Sequence, residues 1–240
     1  MNTNVNFEAA LGVLLLMGTC LVLLALALLM AHGLLVRKYG HVLKGLVAAV
    51  GVVGVYLCLM LGFSFASREK VLARGEEKHF CEVDCHLAYS VIDVTTAKSI
   101  GNPPDGAIAG GTFYIVNLKT RFDENTISHG RGDAPLTPNA RALAVYDEQG
   151  RRYNLSAAGQ RALELVGGGG TPLTTPLHPG ESYTTALVFD LPAAIKNPTL
   201  LVNEAMLPTV FIIGHENSFR HAQTKFQLDA QAREPATARR

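Results

Sequence analysis

The stretch TFYIVNLKTRF (112–122) decides the fold of the larger part of the chain, because its side chains alternate with a period of two. One face collects apolar residues: Tyr114, Val116, Leu118 and Phe122. The other face collects polar residues: Asn117, Lys119 and Arg121. Such alternation predicts a β-strand with one face on an apolar core and the other in water.

Similar strand-like stretches occur on both sides of this one. They are LAYSVIDVTTA (87–97), RALAVY (141–146), RRYNL (151–155), ESYTTALVFDL (181–191), TLLVN (199–203), TVFII (209–213) and TKFQL (224–228). Turn sequences such as NPPDG (102–106) and HPGE (178–181) separate them, and DEQG (147–150) predicts a hairpin. One short helix is predicted at 157–166, with Ser156 as its N-cap.

Many short strands with few helices are typical of a β-sandwich. The sequence therefore predicts an all-β immunoglobulin-like sandwich over 87–228, followed by a disordered tail at 229–240. The segments NPPDG, GGTFYIVNLKTRF, VYDEQGRRYNL and LHPGESYTTALVFDLP occur in an order that resembles a telokin-like, immunoglobulin-fold domain family. That family is found on bacterial surface proteins and has no known function. The resemblance implies a fold and a place outside the cell, with no catalytic residues.

Two uncharged apolar runs precede this region. AALGVLLLMGTCLVLLALALLMAHGLLV occupies 9–36, and GLVAAVGVVGVYLCLMLGFSFA occupies 45–66. About 20 apolar residues cross a bilayer, so both runs predict transmembrane helices that form a hairpin. A cleaved signal peptide is the disfavoured alternative for the first run, because no basic n-region precedes it and its apolar core is too long. The helix-forming segment SREKVLARGEEKHF (67–80) predicts that the second helix continues as a stalk, which spans 67–86 with the cysteine motif included.

The basic residues predict the orientation of the hairpin. Arg37, Lys38 and Lys44 lie in the short connection between the two runs, while the N-terminal flank has no basic residue. Basic loops stay in the cytoplasm, so both ends of the hairpin are expected outside (N-out, C-out). The predicted location is a bacterial inner membrane, with the soluble domain on the periplasmic or extracellular side.

Composition narrows the functional classes. The chain has 240 residues and a net charge of +1, and its first 66 residues hold only four formal charges. A near-neutral chain argues against nucleic acid as a partner. The expected partners are the lipid bilayer and another membrane or periplasmic protein. The second apolar run supports this with small residues at helical spacing, among them Gly45, Ala49, Gly51 and Gly54. The preferred interpretation of that stripe is packing against the first run.

The densest chemistry lies in HFCEVDCH (79–86), where two cysteines are bracketed by two histidines. An oxidising compartment favours a local disulfide between Cys81 and Cys85. Copper is a second interpretation: thiolates and imidazole suit Cu(I), and the Cys-x3-Cys spacing is similar to that of copper chaperones of cytochrome oxidase assembly. The ligands would be Cys81, Cys85 and His86, with His79 as a further candidate.

Two more interpretations stay open at this motif. Covalent haem normally attaches at Cys-x-x-Cys-His, and this chain has one residue more between its cysteines. A structural zinc site or free thiols is the fourth interpretation. The cofactor is thus undecided among none, copper and haem c. His215, Glu216 and His221 are interpreted as groups of a surface loop.

No nucleophile and base stand in a catalytic sequence context. The sequence therefore predicts a non-enzymatic interaction or accessory module of a membrane assembly. The alternative is a redox or metal-handling component of a respiratory complex that uses Cys81, Cys85 and His86.

Overall fold

The computed structural model describes residues 7–82, 85–102, 104–127, 129–204 and 207–229, except for the side chains of 7–10, 81, 82, 85, 86 and 207. Three α-helices and nine β-strands lie in these ranges. The helices are α1 (Phe7–Leu35), α2 (Tyr39–Ala66) and α3 (Ala157–Leu165). The strands are β1 (Lys70–Leu72), β2 (Lys78–Glu82), β3 (Cys85–Ile100), β4 (Ala107–Asp123), β5 (Arg141–Tyr146), β6 (Arg152–Tyr153), β7 (Ser182–Leu191), β8 (Thr199–Glu204) and β9 (Thr224–Gln227).

The chain divides into two compact units. The helical unit contains α1, α2 and residues 207–223, and the β-unit contains residues 70–204 and 224–229. The chain thus has two long apolar N-terminal helices followed by a β-rich domain. By length and composition, both helices are long and apolar enough to cross a membrane.

In the helical unit, α1 and α2 pack along one stripe of each helix. Less exposed residues recur at spacings of three and four: Gly12, Leu16, Thr19, Leu23, Leu26, Met30 and Gly33 on α1, with Val42, Gly45, Ala49, Val52, Tyr56, Met60 and Ser64 on α2. Two helices that meet along such a seam pack side chains between each other's turns. Gly45 is needed there, because a Cβ on it would lie 2.6 Å from Cγ of Met30.

In the β-unit, two sheets enclose the core. One sheet has the strand order β1-β9-β8-β5-β6 and the other β2-β3-β4-β7. Every pairing is antiparallel except that of β1 with β9. Val116, Leu118 and Phe122 of β4 are completely buried in this core, as are Phe189, Val202 and Phe226. The period-two prediction for 112–122 is therefore confirmed.

The predicted hairpin and short helix are also present. Strands β5 and β6 pair across the 147–150 turn. Ser156 caps α3, its side chain accepting a hydrogen bond of 3.2 Å from the Gly159 amide. Helix α3 covers part of the outer face of the four-stranded sheet, where it packs on Phe113, Ala186 and Val188.

The prediction of a helical stalk over 67–86 is wrong. Helix α2 ends at Ala66, and Ser67 is already extended. The following residues form β1, which pairs with β9, and β2, which pairs with β3. Tertiary pairing overrides the helix propensity of Glu, Lys and Arg in this segment. The β-unit therefore begins at Lys70 rather than Leu87, and the predicted tail from residue 230 onward lies outside the described residues.

The prediction of a strand at 209–213 is also wrong. Residues Leu207–Phe211 form a 3-10 helix, and turns follow as far as Arg220. His215 and Glu216, expected on a surface loop, are 8% and 6% exposed. This segment belongs to the helical unit, so its apolar run has no sheet to join.

Candidate functional site

The outer face of the four-stranded sheet carries a cluster of charged and titratable side chains beside β2. It consists of Glu77, which precedes β2, His79 of β2, and Arg121 and Asp123 of β4. The register pairs His79 with Ala88 and Ala88 with Arg121, so these residues lie in one row across three strands. We call these four residues the ion cluster.

Arg121 is the centre of the ion cluster. Its Nε and Nη2 donate to the two oxygens of Glu77 at 2.8 and 2.7 Å, and its Nη1 donates to Asp123 Oδ1 at 3.3 Å. A guanidinium that makes two parallel bonds to one carboxylate is a strong and geometrically specific contact. Arg121 thus holds both carboxylates in fixed positions next to His79.

These contacts shift the pKa values of the cluster. Hydrogen bonds from Arg121 lower the pKa of Glu77, although partial burial opposes the shift. Burial by itself raises the pKa of Asp123, but hydrogen bonds from Asn125 and the charge of Arg121 outweigh it, and the pKa falls below 3.8. The hydrogen bond to Glu77 raises the pKa of Arg121. Both carboxylates are therefore ionised near neutral pH.

His79 faces these carboxylates with one ring nitrogen. Its Nε2 lies 3.3 Å from Asp123 Oδ2 and 3.6 Å from Glu77 Oε2, and its side chain is 6% exposed. The other nitrogen, Nδ1, is buried without a hydrogen-bond partner among the described residues. A buried polar atom of this kind requires a partner or a ligand to offset the loss of hydration.

The cysteine motif lies next to this cluster in the backbone register. Cys81 pairs with His86, and His86 pairs with Asp123. Residues directly opposite each other share a face of the sheet, and residues two apart in a strand share it too. The register therefore places His79, Cys81, His86 and Asp123 on one face. Cys85 pairs with Glu82 and takes the opposite face.

The side chains of Cys81, Cys85 and His86 lie outside the described residues, so the disulfide and metal interpretations of this motif stay predictions. His79 is described, and it belongs to the ion cluster. Within the described part of the chain, no three His, Cys, Asp or Glu side chains are arranged to hold a metal ion. Cys20 and Cys58, on the two long helices, are free and exposed.

Sequence reasoning singled out His79 and missed the rest of the ion cluster. The signal was present in the polar face of TFYIVNLKTRFD, where Arg121 and Asp123 stand two residues apart. Because β2 was taken for part of a helix, the side chains of 77–79 had no predicted position beside that face.

A second candidate surface lies on α2. Beyond its first turn, which contains Gly40, its glycines divide into one that faces α1, Gly45, and three that do not: Gly51, Gly54 and Gly62. A Cβ on any of these three would meet no atom within 4 Å. Cys58 lies on the same side of the helix at helical spacing and is also exposed. The expectation that the small residues of α2 pack against α1 thus holds for Gly45 and is wrong for Gly51 and Gly54.

The chain matches no protein-family model and no curated protein. Among solved structures it is similar to MPT63, a secreted protein from Mycobacterium tuberculosis, with 13% identity, a TM-score of 0.41 and coverage of 67% of this chain and 98% of that one. It is also similar to a conserved hypothetical protein from Bacillus anthracis, with 14% identity, a TM-score of 0.39 and coverage of 68% and 96%. At these levels neither likeness assigns a family or an activity to this chain.

Proposed function

We propose that this chain is a non-enzymatic, membrane-anchored accessory protein of a bacterial inner-membrane assembly. Helices α1 and α2 cross the bilayer as a hairpin with both ends outside. The two-sheet domain is an immunoglobulin-like sandwich of the telokin-like type, and it acts on the periplasmic or extracellular side. Its partners are the bilayer and a second membrane or periplasmic protein.

The membrane part of the proposal rests on α1 and α2. Along almost the whole length of both helices, the side chains that do not touch the other helix are apolar. Among them, Leu14, Leu21 and Val50 are each 65% exposed. Water would not tolerate so large an apolar surface on a monomer, whereas lipid would cover it. Arg37, Lys38 and Lys44 support a cytoplasmic location for the connection between the helices.

The glycine-lined side of α2 is the observation that carries the accessory role. In lipid, helices associate through small residues that let their backbones approach closely, since apolar side chains gain little by leaving lipid. Helix α1 already occupies the side of α2 that contains Gly45. The open side, with Gly51, Gly54 and Gly62, is shaped for a helix of another protein.

Purification of the full-length chain from its native membrane in a mild detergent tests this role. The wild-type chain is expected to elute with a partner protein at a mass above that of the monomer. Gly51→Leu and Gly54→Leu fill the open side and are expected to release the partner. Gly18→Leu is the matched control, because Gly18 of α1 also has no atom within 4 Å of its Cβ position. A wild-type chain that elutes as a lone monomer contradicts the accessory role, and so does equal loss of the partner in the control.

A second function, metal handling, is favoured by one observation: the buried Nδ1 of His79 without a described partner. In this hypothesis Cys81, His86 and His79 bind copper, because the register places all three on one face of the sheet. Metal analysis of the purified full-length chain tests it. Cys81→Ser is expected to abolish bound copper and Cys85→Ser to retain it, since Cys85 takes the other face. Copper that is absent from the wild type, or lost equally in both variants, contradicts the hypothesis.

A further inference from the structure

Residues 207–223 leave the β-unit after β8, pack on the long helices and rejoin the β-unit at β9. We call them the return segment. Tyr56 of α2 donates a hydrogen bond of 2.6 Å to the Phe211 carbonyl, and the Ala222 amide donates one of 2.8 Å to Ser67 Oγ. Gly12 of α1 lies under the segment, because a Cβ there would come within 2.1 Å of the Ile213 carbonyl oxygen. The segment is therefore seated on both helices.

The contacts fix the level of the return segment along the helices. Gly12 lies in the second turn of α1, and Tyr56 lies ten residues before the end of α2. At a rise of 1.5 Å per residue, Tyr56 is about 15 Å along the axis from that end. The segment therefore runs beside the N-terminal half of α1 and the C-terminal half of α2.

Several backbone polar groups of the return segment are bonded within the segment. Successive turns bond the amides of Ile212, His215, Ser218 and His221 to carbonyls three residues earlier. Side chains add to this, since Asn217 Nδ2 donates to Thr209 Oγ1 at 2.7 Å and the Ser218 hydroxyl donates to the Ile212 carbonyl. Irregular backbone at membrane depth is tolerated only where its polar groups are satisfied within protein.

Several polar side chains of the return segment are buried and several of its apolar side chains are exposed, while Ile213 is buried as well. Thr209, His215, Glu216 and Ser218 are each less than 9% exposed. Val210 is 38%, Phe211 53% and Phe219 56% exposed. A water-facing loop would show the opposite arrangement, because burial of apolar groups and hydration of polar ones both lower its free energy.

We propose that the return segment contacts lipid, with Val210, Phe211 and Phe219 inserted into the interfacial region of the outer leaflet. The proposal rests on the membrane-spanning role of α1 and α2 and adds a third element to the anchor. Elements that lie in the interface bury their apolar face about 5–10 Å below the headgroups. The contact at Gly12, about 7.5 Å from the start of α1, lies within that depth, and the contact at Tyr56 lies deeper. Arg220 is exposed next to Phe219, and its guanidinium lies over the Phe219 ring, 5.5 Å from the ring centroid.

Lipid is the occupant that the surroundings favour over a protein. The segment contacts α2 at Tyr56, and Phe63, two turns further along the same side of that helix, is 44% exposed. In the proposed membrane arrangement, Phe211 therefore lies against a helix that lipid surrounds.

Single-tryptophan fluorescence of the full-length chain in liposomes tests the proposal, because the natural chain has no Trp. The variants are Phe211→Trp and Phe219→Trp, with Phe63→Trp on α2 as the membrane reference and Ile108→Trp, at an 81% exposed site of β4, as the aqueous reference. Lipids brominated near the headgroup are expected to quench Phe211→Trp and Phe219→Trp strongly, with blue-shifted emission, and to leave Ile108→Trp bright.

The two references separate the possible failures. If Phe63→Trp is quenched and Phe211→Trp and Phe219→Trp match Ile108→Trp, the lipid contact is overturned while the membrane anchor stands. Blue-shifted emission of Phe211→Trp without quenching also overturns the proposal, since a protein then covers the segment. If Phe63→Trp itself is not quenched, the membrane-spanning role fails.

A second pair of variants tests the seating of the segment. In the Phe211→Trp chain, Gly12→Val is expected to reduce quenching, because the new side chain collides with the Ile213 carbonyl. Gly18→Val is the control and is expected to leave quenching unchanged, since its Cβ position is open. Equal quenching in both variants contradicts the claim that contact with the helices sets the depth of the segment.

Discussion

The β4 strand and the return segment arrange the same kinds of residue in opposite ways. In β4, Val116, Leu118 and Phe122 are completely buried, and Asn117, Lys119 and Arg121 take the other face. In the return segment, His215, Glu216 and Ser218 are buried while Phe211 and Phe219 are exposed. The difference is what our proposal expects if water surrounds the β-unit and lipid surrounds the helical unit.

Truncation of a phenylalanine in each region gives the largest expected contrast. Phe189→Ala opens a cavity between the two sheets and is expected to lower the free energy of unfolding of the β-unit by about 3–5 kcal/mol. Phe219→Ala removes an exposed ring and is expected to change that free energy by less than about 0.5 kcal/mol. Denaturant unfolding of the full-length chain in detergent, followed by circular dichroism, measures both. A similar loss of stability in the two variants would contradict the contrast between the β-unit and the return segment.

A smaller loss of stability is expected from a substitution in the ion cluster, where partly buried charges of the β-unit form ion pairs. Arg121→Met leaves Glu77 and Asp123 without their shared cation and is expected to destabilise the fold by about 2–3 kcal/mol at pH 7, since the site is partly open to water. Lys119→Met, on the same strand and face, is the control, and no ion pair joins Lys119 to another described residue. Equal losses of stability in the two variants would contradict the claim that the ion cluster stabilises the fold.

The pH dependence of the same variant provides a second check. Folding lowers the pKa values of Glu77 and Asp123, so the stability that they contribute is present above their ordinary values of 4.5 and 3.8. It is lost as the pH falls through the lower folded values. The difference in stability between wild type and Arg121→Met is therefore expected to become smaller in acid. Thermal unfolding between pH 7 and pH 3 measures this difference. A difference that stays constant with pH contradicts this electrostatic origin.

The smallest change in stability is expected from substitutions at the N-caps of α3 and α2. Ser156 caps α3 in the water-facing unit, whereas Lys38 makes no side-chain capping bond at the start of α2. Ser156→Ala is expected to cost about 1 kcal/mol, and Lys38→Ala is expected to leave stability unchanged. Thermal unfolding measures the stability of both variants. A larger loss of stability in Lys38→Ala than in Ser156→Ala would contradict the expectation.

The sequence predicted those parts of the fold in which the local pattern of apolar and polar residues matches the environment of the folded segment. Alternation predicted the paired centre of the four-stranded sheet, and charge-free length predicted the two long helices. The segment 209–213 failed because a short apolar run is compatible with a strand, a buried helix or a lipid-facing loop. Its location was set by contacts with Gly12 and Tyr56, which are far away in sequence.

The candidate site was less predictable, because it depends on which strands are neighbours. Lys78 illustrates the limit: it is fully buried, and its ammonium donates to the carbonyls of Val202 and Thr224 on two strands of the other sheet. Nothing local to β2 predicts such partners. In the same way, His79 gains its two carboxylates only through the placement of β2 beside β3 and β4.

Cysteine labelling of the full-length chain in bacterial spheroplasts tests the central claim that the hairpin crosses the membrane with both ends outside. In a background where the four native cysteines are replaced by serine, Lys38→Cys and Arg68→Cys are each exposed to a membrane-impermeant maleimide. We expect Arg68→Cys to react in intact spheroplasts and Lys38→Cys to react only after the membrane is permeabilised. Labelling of Lys38→Cys in intact spheroplasts, or a chain that alkaline extraction releases from the membrane, would contradict the account.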